Sequence, residues 1–159
     1  MPYYPGQFTL VAVGKIKTRH WRQAQDDYHG RITHYVNFDL IEVKDAVGRS
    51  LPDARAMQQE GEQLLKATAD FPRRLALTPD GKLYRSQAFS RLLRRELELY
   101  GRVAFLIGGP VGFAPDVLDQ CHGRIALSPL TFTHELARVV FLEQLYRAFT
   151  IMRGEQYHK

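Results

Sequence analysis

Short apolar runs alternate along this chain with longer segments of helical periodicity. The apolar runs occupy residues 8–13, 38–43, 74–78, 102–107 and 124–128. Because they are nearly continuous and do not alternate apolar with polar residues, they are typical of parallel strands buried on both faces. Helical periodicity occupies residues 21–35, 53–68, 86–100 and 134–152, with a short helix at 114–121. This order predicts an α/β fold in which a mostly parallel sheet carries helices on both faces.

Local signals indicate where several elements begin and end. Ser86 is the expected N-cap of the third long helix, and Gly101 is expected to end it. The sequence PDGK at 79–82 is a turn signal, so we expect the third strand to end there. The loop at 44–52 is the internal segment that we expect to be most flexible. No repeat, low-complexity tract or linker interrupts residues 1–159, which indicates a single domain.

The last helix is apolar almost all round. From Leu136 to Met152, 12 of the 17 residues are apolar or aromatic, while Glu143, Arg147 and Thr150 share one narrow face. A helix of this kind is buried on more than one side. Since one face of a sheet covers only one side, we predict a homodimer that forms through this helix. The alternative is a central helix in the core of a monomer.

The charge and the cysteine content restrict the possible functions. A formal net charge of +5 favours a phosphate-rich partner such as RNA or DNA. No run of 18 or more apolar residues occurs, so we expect no membrane-spanning helix. The N-terminal residues lack a signal-peptide pattern, so we expect a cytoplasmic protein. Cys121 is the only cysteine, which excludes an internal disulfide and argues against a structural zinc site. We predict no metal site.

The stretch LIGGPVGF at 106–113 concentrates glycine at the end of the fourth strand. In an open parallel sheet, ligands bind beyond the carboxyl ends of the strands, so Gly108 and Gly109 are well placed for ligand binding. Glycine permits a close approach of the backbone to a ligand. A tight turn that needs positive φ would explain the same residues, and so would a phosphate cradle. The P-loop and G-x-G-x-x-G patterns are both absent, which weakens the case for a nucleotide-phosphate enzyme.

A second polar segment, ALSPLTFTHEL at 126–136, joins the fifth strand to the last helix. Thr133 or His134 suits the N-cap of that helix, and Glu135 suits its first turn, so helix capping alone explains these residue types. The functional alternative is a second loop whose backbone groups face the same ligand as the glycines. Leu77, at the end of the third strand, would then supply an apolar wall.

The C-terminal tail combines cations with an aromatic ring. Its candidate RNA-binding residues are Arg147, Arg153, Tyr157, His158 and Lys159. Arginine and lysine bind phosphates, and tyrosine can stack on an unpaired base. A frayed and solvated terminus is the alternative interpretation.

Three segments together resemble one protein family. They are FLIGGPVGF (105–113), the C-terminal ALSPLTFTHELARVVFLEQLYRAFTIMRGEQYHK (126–159), and the opening LVAVGKIK (10–17) followed by a Trp and a Tyr. Over residues 8–159 the chain resembles the small SPOUT-class methyltransferases called ribosomal RNA large subunit methyltransferase H. The resemblance implies an α/β-knot fold with a trefoil knot in the C-terminal half, and a homodimer with the cofactor site near the subunit interface. It further implies methyl transfer from S-adenosylmethionine to N3 of a pseudouridine in large-subunit ribosomal RNA, within assembled ribosomes.

The resemblance also implies site residues. The cofactor pocket would be lined by Leu77, Gly108, Gly109, Leu127, Ser128, Pro129, Leu130, Thr131 and Phe132. The substrate side or the dimer interface would include His134, Arg138, Tyr146, Arg147, Arg153, Tyr157, His158 and Lys159. Two features depart from the family. Pro110-Val111 follows the glycine pair, so we assign no role to Val111. The segment before Phe8 is longer than is usual in the family.

The implied reaction suggests three catalytic residues. The acceptor N3 of pseudouridine must lose its proton at or before methyl transfer, so a base or a stabilising cation would help. His158 is the candidate base, and Arg153 and Arg138 are candidates for electrostatic stabilisation, although the tail could instead only position the RNA. A non-catalytic ribosome- or RNA-binding module would also explain the basic charge and the cationic tail, but it would need no cofactor pocket.

Overall fold

The computed structural model describes residues 1–46 and 50–159. Its strands are β1 (Gln7–Val13), β2 (Asn37–Val43), β3 (Arg73–Leu83), β4 (Arg102–Ile107) and β5 (Gly123–Ala126). Its helices are α1 (Arg19–Ile32), α2 (Asp53–Ala67), α3 (Ser86–Tyr100), α4 (Pro115–Asp119) and α5 (His134–Arg153). The strands form one sheet in the order β2-β1-β4-β3-β5, and all neighbouring pairs are parallel. The predicted alternation of strands and helices around a parallel sheet is confirmed.

Helices cover both faces of the sheet, as predicted. One face packs against α1, α3 and α5, with Phe141 in its core, and the other packs against α2 and α4 around Leu64 and Val117. In the inner strand β1, Leu10 belongs to the first core and Val11 to the second. Because both faces are covered, successive side chains of an inner strand are all buried, which accounts for the continuous apolar runs.

Helix α5 lies between α1 and α3 and against the sheet. Its residues Phe141, Leu142, Leu145 and Phe149 are all 0% exposed. Neighbouring helices of the same chain therefore cover sides of α5 that the sequence had led us to expect at a subunit interface. The homodimer stays a prediction.

The prediction that β3 ends at the PDGK sequence is wrong. The strand continues to Leu83, and both Leu77 and Lys82 pair with Ile125, so the residues between them bulge out of the ladder. Gly81 allows the close approach that this requires, because a Cβ there would lie 2.5 Å from the carbonyl carbon of Ile125. The turn signal thus marks a bulge rather than the end of a strand.

The start of α3 also differs from the prediction by one residue. Arg85 holds the N-cap position without a side-chain cap, and Ser86 is the first helical residue. The Ser86 hydroxyl donates instead to Gln144 Oε1 at 3.1 Å, which connects α3 to α5. Gly101 ends the helix with a φ of +74°, as predicted.

The predicted flexible loop at 44–52 includes residues 47–49, which lie outside the described residues.

Within the described part of the chain, every helix is too short or too polar to span a membrane. The trefoil knot and the single-domain organisation stay predictions.

Candidate functional site

A pocket of about 230 Å³ lies beyond the carboxyl ends of β4 and β5, beside the bulge of β3. It is formed by the turn after β4, the bulge of β3, the segment between β5 and α5, and the first turn of α5. Its lining residues are Leu77, Thr78, Pro79, Ile107, Gly108, Gly109, Pro110, Gly112, Phe113, Leu127, Ser128, Leu130, Thr131, Phe132, His134 and Ala137. This is the edge at which open parallel sheets bind ligands.

Most of the residues predicted to bind the cofactor line this pocket. They are Leu77, Gly108, Gly109, Leu127, Ser128, Leu130, Thr131 and Phe132. Pro129 is exposed and does not line the pocket, whereas His134, which we had assigned to the substrate side, does line it. Thr78 and Pro79 were not among the predicted site residues, because the sequence placed Thr78 at the end of the third strand and Pro79 in the turn that was expected to follow it.

The glycine turn, residues 108–112, is shaped by contacts within the protein. Gly112 is the glycine of this turn with positive φ, +85°, and its N–H donates to the Gly109 carbonyl at 3.0 Å. A Cβ on Gly108 would lie 3.1 Å from the carbonyl carbon and oxygen of Gly112. Glycine is favoured at 108 because the two arms of the turn approach closely, and not because its own φ is positive.

Gly109 lies over a buried carboxylate. A Cβ at this position would lie 2.9 Å from Glu60 Oε1 and 3.3 Å from Val13 Cγ1. Glu60, on α2, is 2% exposed, and its Oε2 accepts a hydrogen bond from the Ala46 N–H at 2.9 Å. For Oε1, the described residues provide no hydrogen-bond partner. Glu60 therefore lies directly beneath the glycine turn, and a side chain at position 109 would have to displace its carboxylate.

Local hydrogen bonds fix the segment between β5 and α5. The Leu130 N–H donates to Ser128 Oγ at 3.0 Å, and the Leu136 N–H donates to Thr133 Oγ1 at 3.4 Å. Thr133 is thus the N-cap of α5, one of the two residues that the sequence had suggested for this position.

Glu135 attaches the same end of α5 to the loop before α1. Its carboxylate accepts hydrogen bonds from the Thr18 hydroxyl at 2.6 Å and from the Lys17 backbone N–H at 2.5 Å. The bond from the Thr18 hydroxyl is the main reason that the pKa of Glu135 lies below its usual value. The carboxylate is therefore charged at neutral pH, and the pocket side of α5 is held in place.

His134, the first residue of α5, is a polar side chain in the pocket lining. Its Nδ1 is buried, and among the described residues it has no hydrogen-bond partner. Buried ring nitrogens normally have a partner, so this atom is an unsatisfied polar group at the edge of the site. The other walls are largely apolar, with Leu77, Leu127 and Phe132 among them. Apolar walls with a few polar groups suit a ligand that has a flat ring and polar ends.

Arg138, a predicted catalytic residue, is 1% exposed and does not line the pocket. Its guanidinium donates to Glu42 Oε2 at 2.6 Å and to the Gly14 carbonyl at 2.8 Å. It also donates to Gln25 Oε1 at 3.2 Å. These bonds tie α5 to the ends of β1 and β2, so the charge of Arg138 is used within the fold.

The C-terminal tail packs against α5 instead of extending into solvent. Arg147 pairs with Glu143 at 2.6 Å, and its guanidinium lies 4.9 Å from the centre of the Tyr157 ring. The Tyr157 hydroxyl donates to Glu143 Oε1 at 3.1 Å. Burial, together with this bond to a carboxylate, raises the pKa of Tyr157, so the hydroxyl stays protonated. We call Glu143, Arg147, Tyr157 and His158 the tail cluster.

His158 bridges two helices. Its Nδ1 lies 3.1 Å from Arg147 Nη1, and its Nε2 lies 3.0 Å from Gln87 Nε2 on α3. Because a guanidinium can only donate, Nδ1 is the acceptor in this arrangement, and in a neutral ring the proton is on Nε2. A hydrogen bond to Gln87 then requires the Gln87 amide to present its oxygen to this N–H. Arg153 and Lys159 are exposed, and Arg153 lies 4.0 Å from the centre of the Tyr3 ring.

The pocket and the tail cluster lie at different places along α5. His134 is the first residue of the helix, and Arg147 follows 13 residues later. At a rise of 1.5 Å per residue, this separation is about 20 Å. The predicted site residues therefore form two groups in one chain, with His134 in the first group and the tail residues in the second.

The described part of the chain offers little support for a metal site or for a reactive cysteine. No group of three or more His, Cys, Asp or Glu side chains there could hold a metal ion. Burial raises the pKa of the Cys121 thiol, which disfavours the reactive thiolate.

Comparisons with known proteins show the family to which the chain belongs. The family model described as "Predicted SPOUT methyltransferase" matches residues 7–158. A protein of Anaeromyxobacter dehalogenans named ribosomal RNA large subunit methyltransferase H is 43% identical over 151 residues, 94% of this chain and 97% of that protein. A protein of the same name from Flavobacterium psychrophilum is 36% identical over 151 residues, 94% of this chain and 96% of its own length.

Solved structures share the fold. A probable methylase family protein from Haemophilus influenzae has a TM-score of 0.56 at 11% identity, covering 96% of this chain and 70% of its own. A probable methyltransferase from Bordetella pertussis has a TM-score of 0.51 at 14% identity, covering 92% of this chain and 95% of its own. With the match of the family model and the full-length relatives, the resemblance seen in the sequence is confirmed: the chain belongs to the SPOUT methyltransferases, in the family of the ribosomal RNA large subunit methyltransferases H.

Proposed function

We propose that this protein transfers a methyl group from S-adenosylmethionine to N3 of a pseudouridine in large-subunit ribosomal RNA, in assembled ribosomes. The family membership and the names of the relatives support a methyltransferase that acts on large-subunit ribosomal RNA. The observation that carries the proposal is the pocket between the glycine turn and the β5–α5 segment. A net charge of +5 is consistent with an RNA substrate.

The lining of the pocket fits S-adenosylmethionine chemically. Leu77, Leu127 and Phe132 offer apolar surface to the adenine ring, and the imidazole of His134 adds a polar side chain to the lining. When bound, the cofactor supplies a methyl group that is already activated on a sulfonium, so the protein mainly has to hold the two reactants in line.

The tail is the proposed RNA-binding element. Arg147 and Arg153 would stabilise the negative charge that develops on the imide when N3 loses its proton. His158 would accept that proton at Nδ1 once Arg147 turns from the ring to the RNA. Arg138 keeps no catalytic role in this proposal, because its guanidinium is buried and bonded within the fold.

A homodimer would bring these two groups of residues together. In one chain the tail cluster lies about 20 Å from the pocket along α5, too far for direct proton transfer or charge stabilisation at the methyl group. A second copy that packs across α5 could place its own tail beside the pocket of the first. We therefore propose one catalytic domain over residues 1–159, active as a cytoplasmic homodimer.

The proposal is tested by methyl transfer to ribosomes. Labelled S-adenosylmethionine would be incubated with the protein and with assembled ribosomes from a strain that lacks it, and the nucleosides would then be analysed by mass spectrometry. We expect a new N3-methylpseudouridine. Tight ribosome binding without transfer would instead identify a non-catalytic binding module, and methylation of a different nucleoside would refute the assigned acceptor.

A further inference from the structure

The exposed face of α3 carries a concentration of positive charge. Residues 81–95 contain five Lys or Arg and no Asp or Glu, while the whole chain has a net charge of +5. The five are Lys82, Arg85, Arg91, Arg94 and Arg95, and all of them are exposed. Two acidic residues follow on the helix: Glu96 is buried and paired with Arg73, whereas the exposed Glu98 pairs with Arg94 at 3.0 Å. Among the described residues, neither acid pairs with Arg91 or Arg95.

Two of these arginines form a row with Gln87. Gln87, Arg91 and Arg95 are spaced by four residues, so they lie one above another along a single face of α3. The opposite side of the helix is buried, with Phe89 and Leu93 at 5% and 0% exposure. Among the described residues, neither Arg91 nor Arg95 forms a salt bridge. Their guanidinium groups are thus available to a partner.

This arginine row, Arg91 and Arg95, begins beside the tail cluster. Gln87 contacts His158, and His158 contacts Arg147. The hydroxyl of Ser90 donates to the Ala148 carbonyl at 2.8 Å, which holds α3 firmly against α5. From Gln87 to Arg95 the helix rises about 12 Å, so the row extends the tail cluster along the surface by that length.

The opposite face of the sheet provides a contrast. There, the exposed cations Arg55 and Lys66 on α2 share their helix with the exposed acids Asp53 and Glu62. The excess positive charge is therefore concentrated on the side of the molecule that carries the tail cluster. A one-sided surface of this kind is the electrostatic pattern of a nucleic-acid interface.

We propose that the arginine row binds phosphates of the ribosomal RNA that flanks the modified nucleotide. The proposal rests on the proposed function, because it takes the RNA substrate from it. Arginine binds phosphate through two parallel hydrogen bonds, and each such contact releases counterions from the RNA. The row would thus contribute affinity and orientation, but it would not take part in methyl transfer.

The test compares two double variants with the same change in charge. Arg91→Gln/Arg95→Gln removes the row, and Arg55→Gln/Lys66→Gln removes two exposed cations from the opposite face. Binding to ribosomes from a strain that lacks the protein would be measured between 50 and 300 mM salt, together with the KM and kcat of methyl transfer. Thermal unfolding and sedimentation would verify that each variant keeps its fold and its oligomeric state.

For the row variant we expect the slope of log affinity against log salt to decrease by about 1.5, the value for two lost phosphate contacts. KM for ribosomes should increase at least about fivefold at 100 mM salt, with kcat unchanged. The opposite-face variant should match the wild type. Equal losses in both variants, no loss in either, or a changed oligomeric state in the row variant alone would each overturn the proposal. If the wild type binds ribosomes but transfers no methyl group, the proposed function fails. The slopes of log affinity against log salt still test whether the arginine row binds phosphates.

Discussion

At the His134 end of α5, backbone geometry defines the site, whereas at the Arg147 end charged side chains define it. The glycine turn is fixed by the Gly112 N–H bond and by Glu60 beneath it, so the pocket exists without a ligand. In the tail cluster, Arg147 is held by Glu143 and is stacked on Tyr157. The pocket is thus preformed for a ligand, whereas Arg147 has to leave Glu143 and Tyr157 before it can contact RNA.

This difference separates cofactor binding from substrate binding. Changes in the glycine turn should alter the affinity for the cofactor, because the turn has no spare volume. Changes in the tail cluster should alter catalysis on RNA and leave cofactor affinity intact. Each variant below is chosen to affect one end of α5 only.

The largest effect is expected from Gly108→Val. A Cβ at this position would already lie 3.1 Å from the backbone of Gly112, and valine adds two further methyl groups at a position that lines the pocket. We expect the affinity for S-adenosylmethionine to fall about 100-fold, measured by calorimetry. Gly30→Val, on α1 with no atom near the new Cβ, is the matched control and should bind normally. Normal binding by the Gly108 variant would show that the turn does not contact the cofactor.

The next effect is expected from Arg147→Gln. Loss of the guanidinium should reduce kcat/KM for ribosomes by about 100-fold, while the Kd for S-adenosylmethionine changes less than about twofold. Arg55→Gln is the control, because Arg55 is an exposed arginine on α2, on the opposite face of the sheet from the tail cluster. A parallel loss of cofactor affinity in the Arg147 variant would remove the distinction between the two ends of α5.

A smaller effect should follow from Gly109→Ala. Its methyl group would lie 2.9 Å from the buried Glu60 Oε1, so we expect the free energy of unfolding to decrease by about 1–3 kcal/mol. In the double variant Gly109→Ala/Glu60→Ala the clash is absent. The double variant should therefore lose less unfolding free energy than the sum of the two single variants, by more than about 0.5 kcal/mol. Chemical denaturation measures all four proteins of this cycle. Strict additivity would mean that Glu60 does not support the turn.

The smallest effect concerns pH. Because the folded-state pKa of Glu135 is lowered, its contribution to stability is present above the ordinary glutamate pKa and is lost as the pH falls through the folded value. Thr18→Val removes the hydroxyl that is the main cause of the shift. We expect this variant to lose about 1 kcal/mol near pH 7 and clearly less near pH 3. Denaturation at both pH values measures this, and an equal loss at both would contradict the assignment.

The sequence was sufficient for the sheet, the helices and most of the pocket, because these depend on local periodicity and on the rule that ligands bind at the carboxyl ends of strands. It was insufficient where a distant segment decided the outcome. Thr78 and Pro79 reach the pocket because β3 pairs again with Ile125 after its bulge. The buried bond of Arg138 to Glu42 joins residues 96 positions apart, and no local pattern indicates it.

The glycine pair illustrates the same limit. The sequence correctly marked Gly108 and Gly109 as positions without room for a side chain, but it attributed the crowding to a ligand or to a positive φ. The atoms that crowd them belong to Gly112 and to Glu60, which lies on a different helix. Glycine in a motif indicates close approach, and only the fold identifies the approaching group.

The central claim is that the pocket of one subunit works with the tail of the other. It is tested most directly by mixing two inactive variants, Gly108→Val and the double variant Arg147→Gln/His158→Ala, under conditions that exchange subunits. Each mixed dimer would then contain one intact pocket opposite one intact tail. We expect methyl transfer to ribosomes to return to about a quarter of the wild-type rate, because half of the dimers are mixed and each has one working site of two. A mixture that stays inactive, although mass spectrometry shows that mixed dimers have formed, would contradict the claim.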